Sequence, residues 1–282
     1  MIIQHNIAAI NSYRNLGINQ SGLNKNLEKL SSGYKINRAG DDAAGLAISE
    51  SMRSQINGLN QAVNNANDAI GLIQTAEGAL TETHSMLQRL TTLATQAANG
   101  TYNSVARGNI QVEVNRLIEE IDRIANYTDF NGIRPLASNT VKVNGKQISV
   151  SAGKMTFQIG PTAQEIIKVS TGIMTASKIG VKDIKLSTLK GANEAITAIN
   201  SAINHVSTYR AQLGAAQNRL EHTVNNLKVT SENITAAESR IRDTDMANEI
   251  TAFTKNNILL QASQSMLAQS NSVPQSVLSL LG

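Results

Sequence analysis

Side chains suited to metal or acid–base chemistry are few in this sequence and widely spaced. Its four histidines lie at positions 5, 84, 205 and 222. None belongs to a His-Glu-x-x-His run or to another spacing typical of metal ligands. Cysteine is absent, so the chain has neither a thiolate nucleophile nor a disulfide framework. We therefore expect no metal site and no cofactor, and we interpret the histidines as ordinary residues of helix surfaces.

Two adjacent carboxylates, Asp41 and Asp42, are the remaining candidates for acid–base work. They directly precede a long helical stretch, where a carboxylate satisfies free backbone N–H groups and faces the positive end of the helix dipole. The glycines at 33, 40 and 45 do not have the spacing of a phosphate-binding loop. These residues therefore predict a helix cap, and the sequence argues against an enzyme.

Apolar residues recur every seven positions in two long stretches of the chain. The first stretch contains Leu59, Ala66, Ile73, Leu80, Leu87 and Ala94. The second contains Ile199, Val206, Leu213, Leu220, Leu227, Ile234 and Ile241. A narrow stripe of this kind is buried only against another stripe, so sustained heptads require a partner helix. The predicted fold class is mainly α, a long antiparallel coiled-coil helical rod with a small β-hairpin-rich insert.

The two ends of the chain carry heptads of their own, out of phase with the inner ones. The N-terminal set is Ile2, Ala9, Leu16, Leu23 and Leu30, and the C-terminal set is Phe253, Leu260 and Leu267. Leu30 and Leu59 are 29 residues apart, one more than four heptads, and Ile241 and Phe253 are 12 apart, two short of two heptads. Each phase break predicts a boundary between a terminal helix and an inner helix. We expect the first helix to pair with the last.

The middle of the chain changes character after a third predicted helix, whose apolar face contains Val114, Leu117, Ile121 and Ile124. From about residue 138 to 190, alternating apolar residues flank the pair Asn144-Gly145, which is typical of a β-hairpin turn. The stretches 157–159 and 166–169, separated by Gly160-Pro161, predict a second strand pair. The insert is therefore small and β-rich.

Composition and charge exclude several other classes of protein. The formal net charge is +4 and aromatic residues make up 3% of the chain, but Lys and Arg are scattered among acidic residues. No basic run is typical of nucleic-acid binding. The start lacks a basic region and no stretch approaches 18 apolar residues, so we expect neither a cleaved signal peptide nor membrane insertion.

Several long strings resemble the bacterial flagellins, in the same order as in that family. They are IQHNIAA at 3–9, EKLSSG at 28–33, INRAGDDAAGLA at 36–47, IQTAEGAL at 73–80, FNG at 130–132, ESRIRDTDMA at 238–247, MLAQSN at 266–271 and SVLSLL at 276–281. The resemblance covers about residues 1–138 and 192–282. Strings near the end of the insert, at 174–176 and 180–181, are similar to the short flagellins of spirochaetes.

The resemblance implies a structural subunit that polymerises into the flagellar filament for motility. It also implies five segments: an N-terminal core helix and spoke at 1–42, N-terminal shaft helices at 43–137, a β-rich insert at 138–191, a C-terminal shaft helix at 192–245 and a C-terminal core helix at 246–282. The protein would be exported without a cleaved signal peptide into an extracellular flagellum, and a periplasmic filament stays open as an alternative.

The apolar residues of the two terminal helices are the candidate filament-assembly residues. They are Ile2, Ile3, Ile7, Ile10, Leu16, Leu23, Leu30, Phe253, Leu260, Leu267, Val277, Leu278, Leu280 and Leu281. We expect the terminal pair to be largely unfolded in the monomer and to order on packing, and a self-contained helical hairpin is the alternative. The resemblance implies as partners a chaperone for residues near 245–282, the type III export apparatus, and the filament cap and hook-junction proteins.

A second surface resembles the flagellin segment recognised by Toll-like receptor 5. Arg89, Leu93 and Glu113 match the family's central contacts, whereas Thr91 and Thr92 depart from the charged pair common there. The alternative is that Arg89 and Glu113 serve subunit packing and that Leu87 and Leu90 lie in the seam between helices.

Two rival functions come from other classes of protein. A hook-filament junction protein shares terminal helices with flagellins, but we expect weaker matches across residues 28–47 and 73–80. A flagellin-like secreted adhesin or enzyme would need a large central domain, and an insert of about fifty residues without His or paired acids does not supply one.

Overall fold

A computed structural model describes residues 6–137, 139–143, 146–150, 155–170 and 172–281 of the chain, with the backbone alone for 139–143, 146–150 and 277–281. The helices are α1 Ile7–Ser32, α2 Ala43–Ala97, α3 Ser104–Tyr127, α4 Ala176–Ile179, α5 Leu189–Arg242 and α6 Met246–Leu281. The strands are β1 Asn139–Val143, β2 Lys146–Val150, β3 Met155–Gln158 and β4 Ile166–Val169. The predicted mainly helical fold class is confirmed, and no described helix is long and apolar enough to cross a membrane.

The chain divides into two compact units. Residues 1–56 and 232–282 form one, which we call the terminal unit, and residues 57–231 form the other, the central unit. Both predicted phase breaks correspond to helix ends, because α1 ends at Ser32 before α2 begins at Ala43, and α5 ends at Arg242 before α6 begins at Met246.

In the terminal unit α1 packs antiparallel to α6, as predicted. The Asn6 side chain caps α1 by accepting a hydrogen bond from the Ala9 amide, and it donates to the Ser270 carbonyl at 2.7 Å. Further along α1, the Asn19 amide donates to Ser263 Oγ at 2.8 Å. Residues later in α1 therefore contact residues earlier in α6, which is the antiparallel direction.

The acidic pair before α2 has the capping role predicted for it. Asp42 Oδ1 accepts a hydrogen bond from the Gly45 amide in the first turn, at 2.9 Å. Asp41 accepts from the backbone amides of Asn37 and Arg38, at 3.3 and 3.2 Å, and forms an ion pair with Lys25. Both carboxylates are therefore engaged in hydrogen bonds to nearby backbone amides, and Asp41 in an ion pair as well.

The central unit pairs α2 with α5 through the predicted heptads. Ser231 donates to the Asn60 side chain at 3.2 Å, and the Arg210 guanidinium lies 3.6 Å from the Glu77 carboxylate, which shows the antiparallel direction. The buried heptad residues are Leu59, Ala66, Ile73, Leu80, Leu87, Ala94, Ile199, Val206, Leu213, Leu220 and Leu227. The buried face of α3 contains Ile110, Val114, Ile118, Ile121 and Ala125. Of the predicted α3 face, Val114 and Ile121 are buried, Leu117 is half-buried and packs against the same core, and Ile124 is half-buried.

The insert contains two antiparallel strand pairs, β1 with β2 and β3 with β4, as predicted. The predicted turn pair Asn144-Gly145 lies outside the described residues. The β3–β4 hairpin rests on α2, where Asn65 donates to the Gln158 carbonyl at 3.1 Å. Gly58 permits this approach, since a Cβ at that position would lie 2.8 Å from the ring of Pro161. The single turn α4 was not predicted.

Candidate assembly surface

Six of the predicted assembly residues contribute to the packing of α1 and α6 within one chain. These half-buried residues are Leu16, Leu23, Leu30, Phe253, Leu260 and Leu267. They form a single narrow apolar stripe on each helix. Their position means that they hold the helix pair together and leave only part of their surface for a neighbouring subunit.

The predicted residues at the start of α1 are open to solvent. The Ile7 and Ile10 side chains are 63% and 60% exposed, and Tyr13 and Ile18 beside them are exposed to a similar extent. Ile2 and Ile3 lie outside the described residues, as do the side chains of Val277, Leu278, Leu280 and Leu281. By helical periodicity these exposed residues share one broad face of α1, away from the stripe of Leu16, Leu23 and Leu30, which leaves that face available to a neighbouring subunit.

A second apolar stripe on α6 was missed by the sequence analysis. Leu259, Met266 and Val273 again follow a spacing of seven and are 40%, 60% and 46% exposed. Ile250 and Ile258 are exposed as well. The repeat was visible in the sequence, one position before the stripe of Leu260, but only the structure shows which of the two stripes α1 covers. A helix with two apolar sides needs two neighbours to bury them.

Polar groups interrupt the contact between α1 and α6. Asn26 is 9% exposed, and its amide nitrogen has no hydrogen-bond partner among the described residues. Asn256 lies close to Gly22, so that a Cβ at Gly22 would be 3.1 Å from its amide nitrogen. A buried amide without a partner reduces stability by about 1–3 kcal/mol. The helix pair is therefore weaker than an uninterrupted apolar seam of the same length.

Two carboxylates near these helices are held in their charged form. The hydrogen bond from Arg242 lowers the pKa of the Glu50 carboxyl from its ordinary value, and the hydrogen bond from Lys25 does the same for the pKa of Asp41. Among the described residues, no group of three or more His, Cys, Asp or Glu side chains could hold a metal ion.

The predicted receptor contacts are brought together in part. Arg89 Nε and Nη2 both donate to Glu113 Oε1, at 2.9 and 2.7 Å, which joins α2 to α3. These two side chains are 54% and 45% exposed. Leu93 is only 1% exposed, because it faces the helix core with Leu87 and Leu90. A partner that docks on this face in the present conformation meets Arg89 and Glu113 but not Leu93.

Comparisons with known proteins agree along the length of the chain. Residues 3–141 match the bacterial flagellin N-terminal helical region, and residues 196–281 match the bacterial flagellin C-terminal helical region. The chain is 50% identical to a flagellin of Bacillus subtilis and 48% identical to flagellin FlaB2 of Treponema pallidum, each alignment covering 100% of both chains. It is 49% identical to the flagellar filament 33 kDa core protein of Treponema phagedenis, again over 100% of both.

Two solved structures have related folds. The flagellin of Bacillus cereus is 28% identical, with a TM-score of 0.50, and its match covers 62% of this chain and 94% of that one. A putative flagellar hook-associated protein of Vibrio parahaemolyticus has a TM-score of 0.58 at 12% identity, covering 72% and 100% of the two chains, which shows a shared fold alone.

Proposed function

Because the chain belongs to the bacterial flagellin family, whose members are structural filament subunits for motility and not enzymes, we propose that it assembles by ordering and burying α1 and α6. The observation that carries this proposal is the second stripe of α6, Leu259, Met266 and Val273, which α1 leaves exposed. Fully burying each such side chain contributes about 1.5–3 kcal/mol. Packing against neighbouring subunits therefore supplies stabilisation that the lone helix pair lacks.

The same reasoning applies to the folding state of the monomer. The seam between α1 and α6 is narrow and contains the buried amide of Asn26, so it offsets little of the entropy lost when these helices form. We expect both helices to be largely unfolded in free monomers and to order when subunits pack. A preformed helical hairpin that docks as a unit is the alternative.

Substitution of the second stripe tests the proposal. The double variant Leu259→Ser with Met266→Ser should raise the critical monomer concentration for filament growth by about tenfold or more, since the exposed parts of the two side chains, 40% and 60%, together represent about 1.5–3 kcal/mol of burial. Filament growth from seeds is measured by sedimentation and electron microscopy. Val112→Ser with Val229→Ser is the matched control, because these side chains are 60% and 57% exposed but lie in the central unit. Normal assembly of the α6 variant, or an equal loss in the control, would contradict the proposal.

Before export, the same exposed apolar surface of α6 needs a binding partner that shields it from water. We propose that a cytoplasmic export chaperone binds residues near 245–282 through the exposed stripe, and that the type III export apparatus, hook-junction proteins and filament cap then receive the subunit. A peptide of residues 246–281 should bind the host's flagellar chaperone and should lose binding when Leu259 and Met266 are serine. Absence of binding by the unaltered peptide would overturn this partnership.

We place the resulting filament outside the cytosol, in an extracellular flagellum. A periplasmic filament is the alternative that similarity to the Treponema core protein favours. The hook-junction alternative is less well supported, because the hook-associated likeness is 12% identical whereas flagellins match at about half of all positions. The adhesin or enzyme alternative would need a large central domain, and the predicted insert at 138–191 is only about fifty residues long and contains no histidine.

A second function, recognition by Toll-like receptor 5, is supported by the exposed Arg89–Glu113 pair. Arg89 donates to Glu113 Oε1 through Nε and Nη2, so these two bonds leave Glu113 Oε2 to accept from a receptor donor and Arg89 Nη1 to donate to a receptor acceptor. Arg89→Ala should lower receptor signalling by about tenfold, the loss of one charge-assisted bond. Arg116→Ala, on α3 with a side chain 77% exposed, is the matched control. Unchanged signalling by Arg89→Ala would contradict this function.

A further inference from the structure

The seam between α1 and α6 repeats with the same period on both helices. Its apolar positions are Leu16, Leu23 and Leu30 on α1 and Phe253, Leu260 and Leu267 on α6. Its polar positions are Ser12, Asn19 and Asn26 on α1 and Asn256, Ser263 and Ser270 on α6. If α6 slid along α1 by seven residues, about 10 Å, apolar positions would again meet apolar ones and polar positions polar ones.

The hydrogen bonds across the seam do not exclude such a slide. Asn6 donates to the backbone carbonyl of Ser270, and every register offers a backbone carbonyl. Asn19 donates to Ser263 Oγ, but Asn256 and Ser270 offer side-chain oxygens of their own in the two slid registers. The ion pair between Lys29 and Glu249 is particular to the present register and largely shielded, but at 3.8 Å its charged atoms lie too far apart for a hydrogen bond. The register must be set mainly by something outside the repeat.

One contact that does not follow the seven-residue repeat lies just after the end of α1 and just before the start of α6. The Thr244 amide donates to the Gly33 carbonyl at 2.9 Å, and the Lys35 amide donates to the Arg242 carbonyl at 2.7 Å. Tyr34 and Asp243 face each other in an antiparallel bridge between these two bonds. Gly33 makes the turn into this bridge possible, because it ends α1 in the left-handed region, at φ 75°.

The Arg242 side chain ties the same bridge to α2. Its guanidinium donates to the Glu50 carboxylate at 2.6 Å and lies 4.8 Å from the centre of the Tyr34 ring. The Arg242 side chain is only 12% exposed, whereas its partners Glu50 and Tyr34 are 55% and 37% exposed, so the contacts hold the arginine at the edge of the solvent. A hydrogen bond between a guanidinium and a carboxylate is stronger than one between neutral groups, and an arginine within about 6 Å of a ring centre adds a cation–π attraction.

We propose that this contact, formed by residues 33–35, residues 242–244 and Glu50 and named here the clasp, sets the register of α6 against α1. Arg242 is its positioning residue, since its side chain contacts both Tyr34, just after the end of α1, and Glu50, in the first part of α2. The register in turn decides how the second stripe of α6 lies relative to Ile7 and Ile10, so this consequence rests on the proposed assembly function.

Disulfide cross-linking reads the register directly, because the natural chain contains no cysteine. Asn19→Cys with Ser263→Cys reports the register of the structure. Asn19→Cys with Asn256→Cys, and Asn19→Cys with Ser270→Cys, report slides of seven residues in the two directions. The pairs are oxidised in filaments and in monomers kept folded with trimethylamine N-oxide.

With an intact clasp only the first pair should cross-link efficiently. Arg242→Gln should raise the yield of the slid pairs, relative to the first, by at least about tenfold, which corresponds to ~1.4 kcal/mol of register preference. Tyr34→Leu, which removes the aromatic ring but leaves the Arg242 and Glu50 charges in place, should shift the yields in the same direction. Arg240→Gln, two residues away and exposed, is the matched control and should change nothing.

If Arg242→Gln and Tyr34→Leu both retain the cross-linking pattern of the parent, the clasp does not set the register and the proposal is overturned. Failure of the assembly function would show differently, as an unaltered chain that forms no filaments while its monomers still cross-link in one register.

Discussion

In this flagellin, a few single side chains connect segments of the chain that helix packing does not bring into contact. Arg242 contacts Glu50 and Tyr34, which are distant from it in sequence. Glu50 also accepts a weaker bond from Arg53, at 3.4 Å. Because two cations face one carboxylate, the charged form of Glu50 is favoured and the clasp depends on its ionisation.

The terminal unit should lose stability in acid through this carboxylate. The folded-state pKa of Glu50 is lowered by Arg242, so its contribution is present above the ordinary pKa of about 4.3 and is lost as pH falls through the lowered value. Glu50→Gln should remove part of this dependence and should be less stable than the parent at pH 7. Urea-induced dissociation of filaments, in which α1 and α6 are expected to be ordered, is followed by a fluorescent probe on α6 and is measured for both chains between pH 7 and 3. Identical pH dependence in the two chains would contradict this role for Glu50.

At the scale of whole elements, α2 and α5 are held by burial and not by propensity. Both helices are rich in Asn, Ser and Thr, which favour helices less than Ala or Leu does. Their stripe residues, such as Leu80 and Leu220, are fully buried. The length of these helices is therefore a consequence of tertiary packing.

Truncation of one stripe residue should show this dependence. Leu220→Ala should lower the free energy of unfolding of the central unit by about 2–5 kcal/mol, through lost burial and the cavity that remains. Val229→Ala, on the same helix but 57% exposed, should cost about 0.5 kcal/mol or less. Urea denaturation followed by circular dichroism compares the two, and equal losses would show that α5 is not stabilised by its stripe.

At the scale of the whole molecule, sequence periodicity predicted the helices and their ends because each phase break coincides with a loss of the apolar seam. The capping role of Asp42 and both strand pairs followed from local chemistry in the same way. The clasp could not be predicted, since Tyr34 and Arg242 meet only through the fold. The burial of Leu93 and the exposure of Leu259 also depend on which face a neighbouring helix covers, and the heptad pattern does not encode that choice.

The two compact units differ in how they are stabilised. The central unit buries its stripes within one chain, whereas the terminal unit leaves Ile7, Ile10 and the second stripe of α6 exposed. Assembly should therefore change the terminal unit far more than the central one.

Hydrogen exchange of backbone amides, compared between monomers and filaments, tests this coupling of folding to assembly most directly. We predict that amides of α1 and α6 exchange in monomers nearly as fast as in an unfolded chain and are slowed by about a hundredfold or more in filaments. Amides within residues 57–97 and 189–231 should be protected in both states. Equal protection of α1 and α6 in monomers and filaments would contradict the account and would show that a preformed helical hairpin docks as a unit.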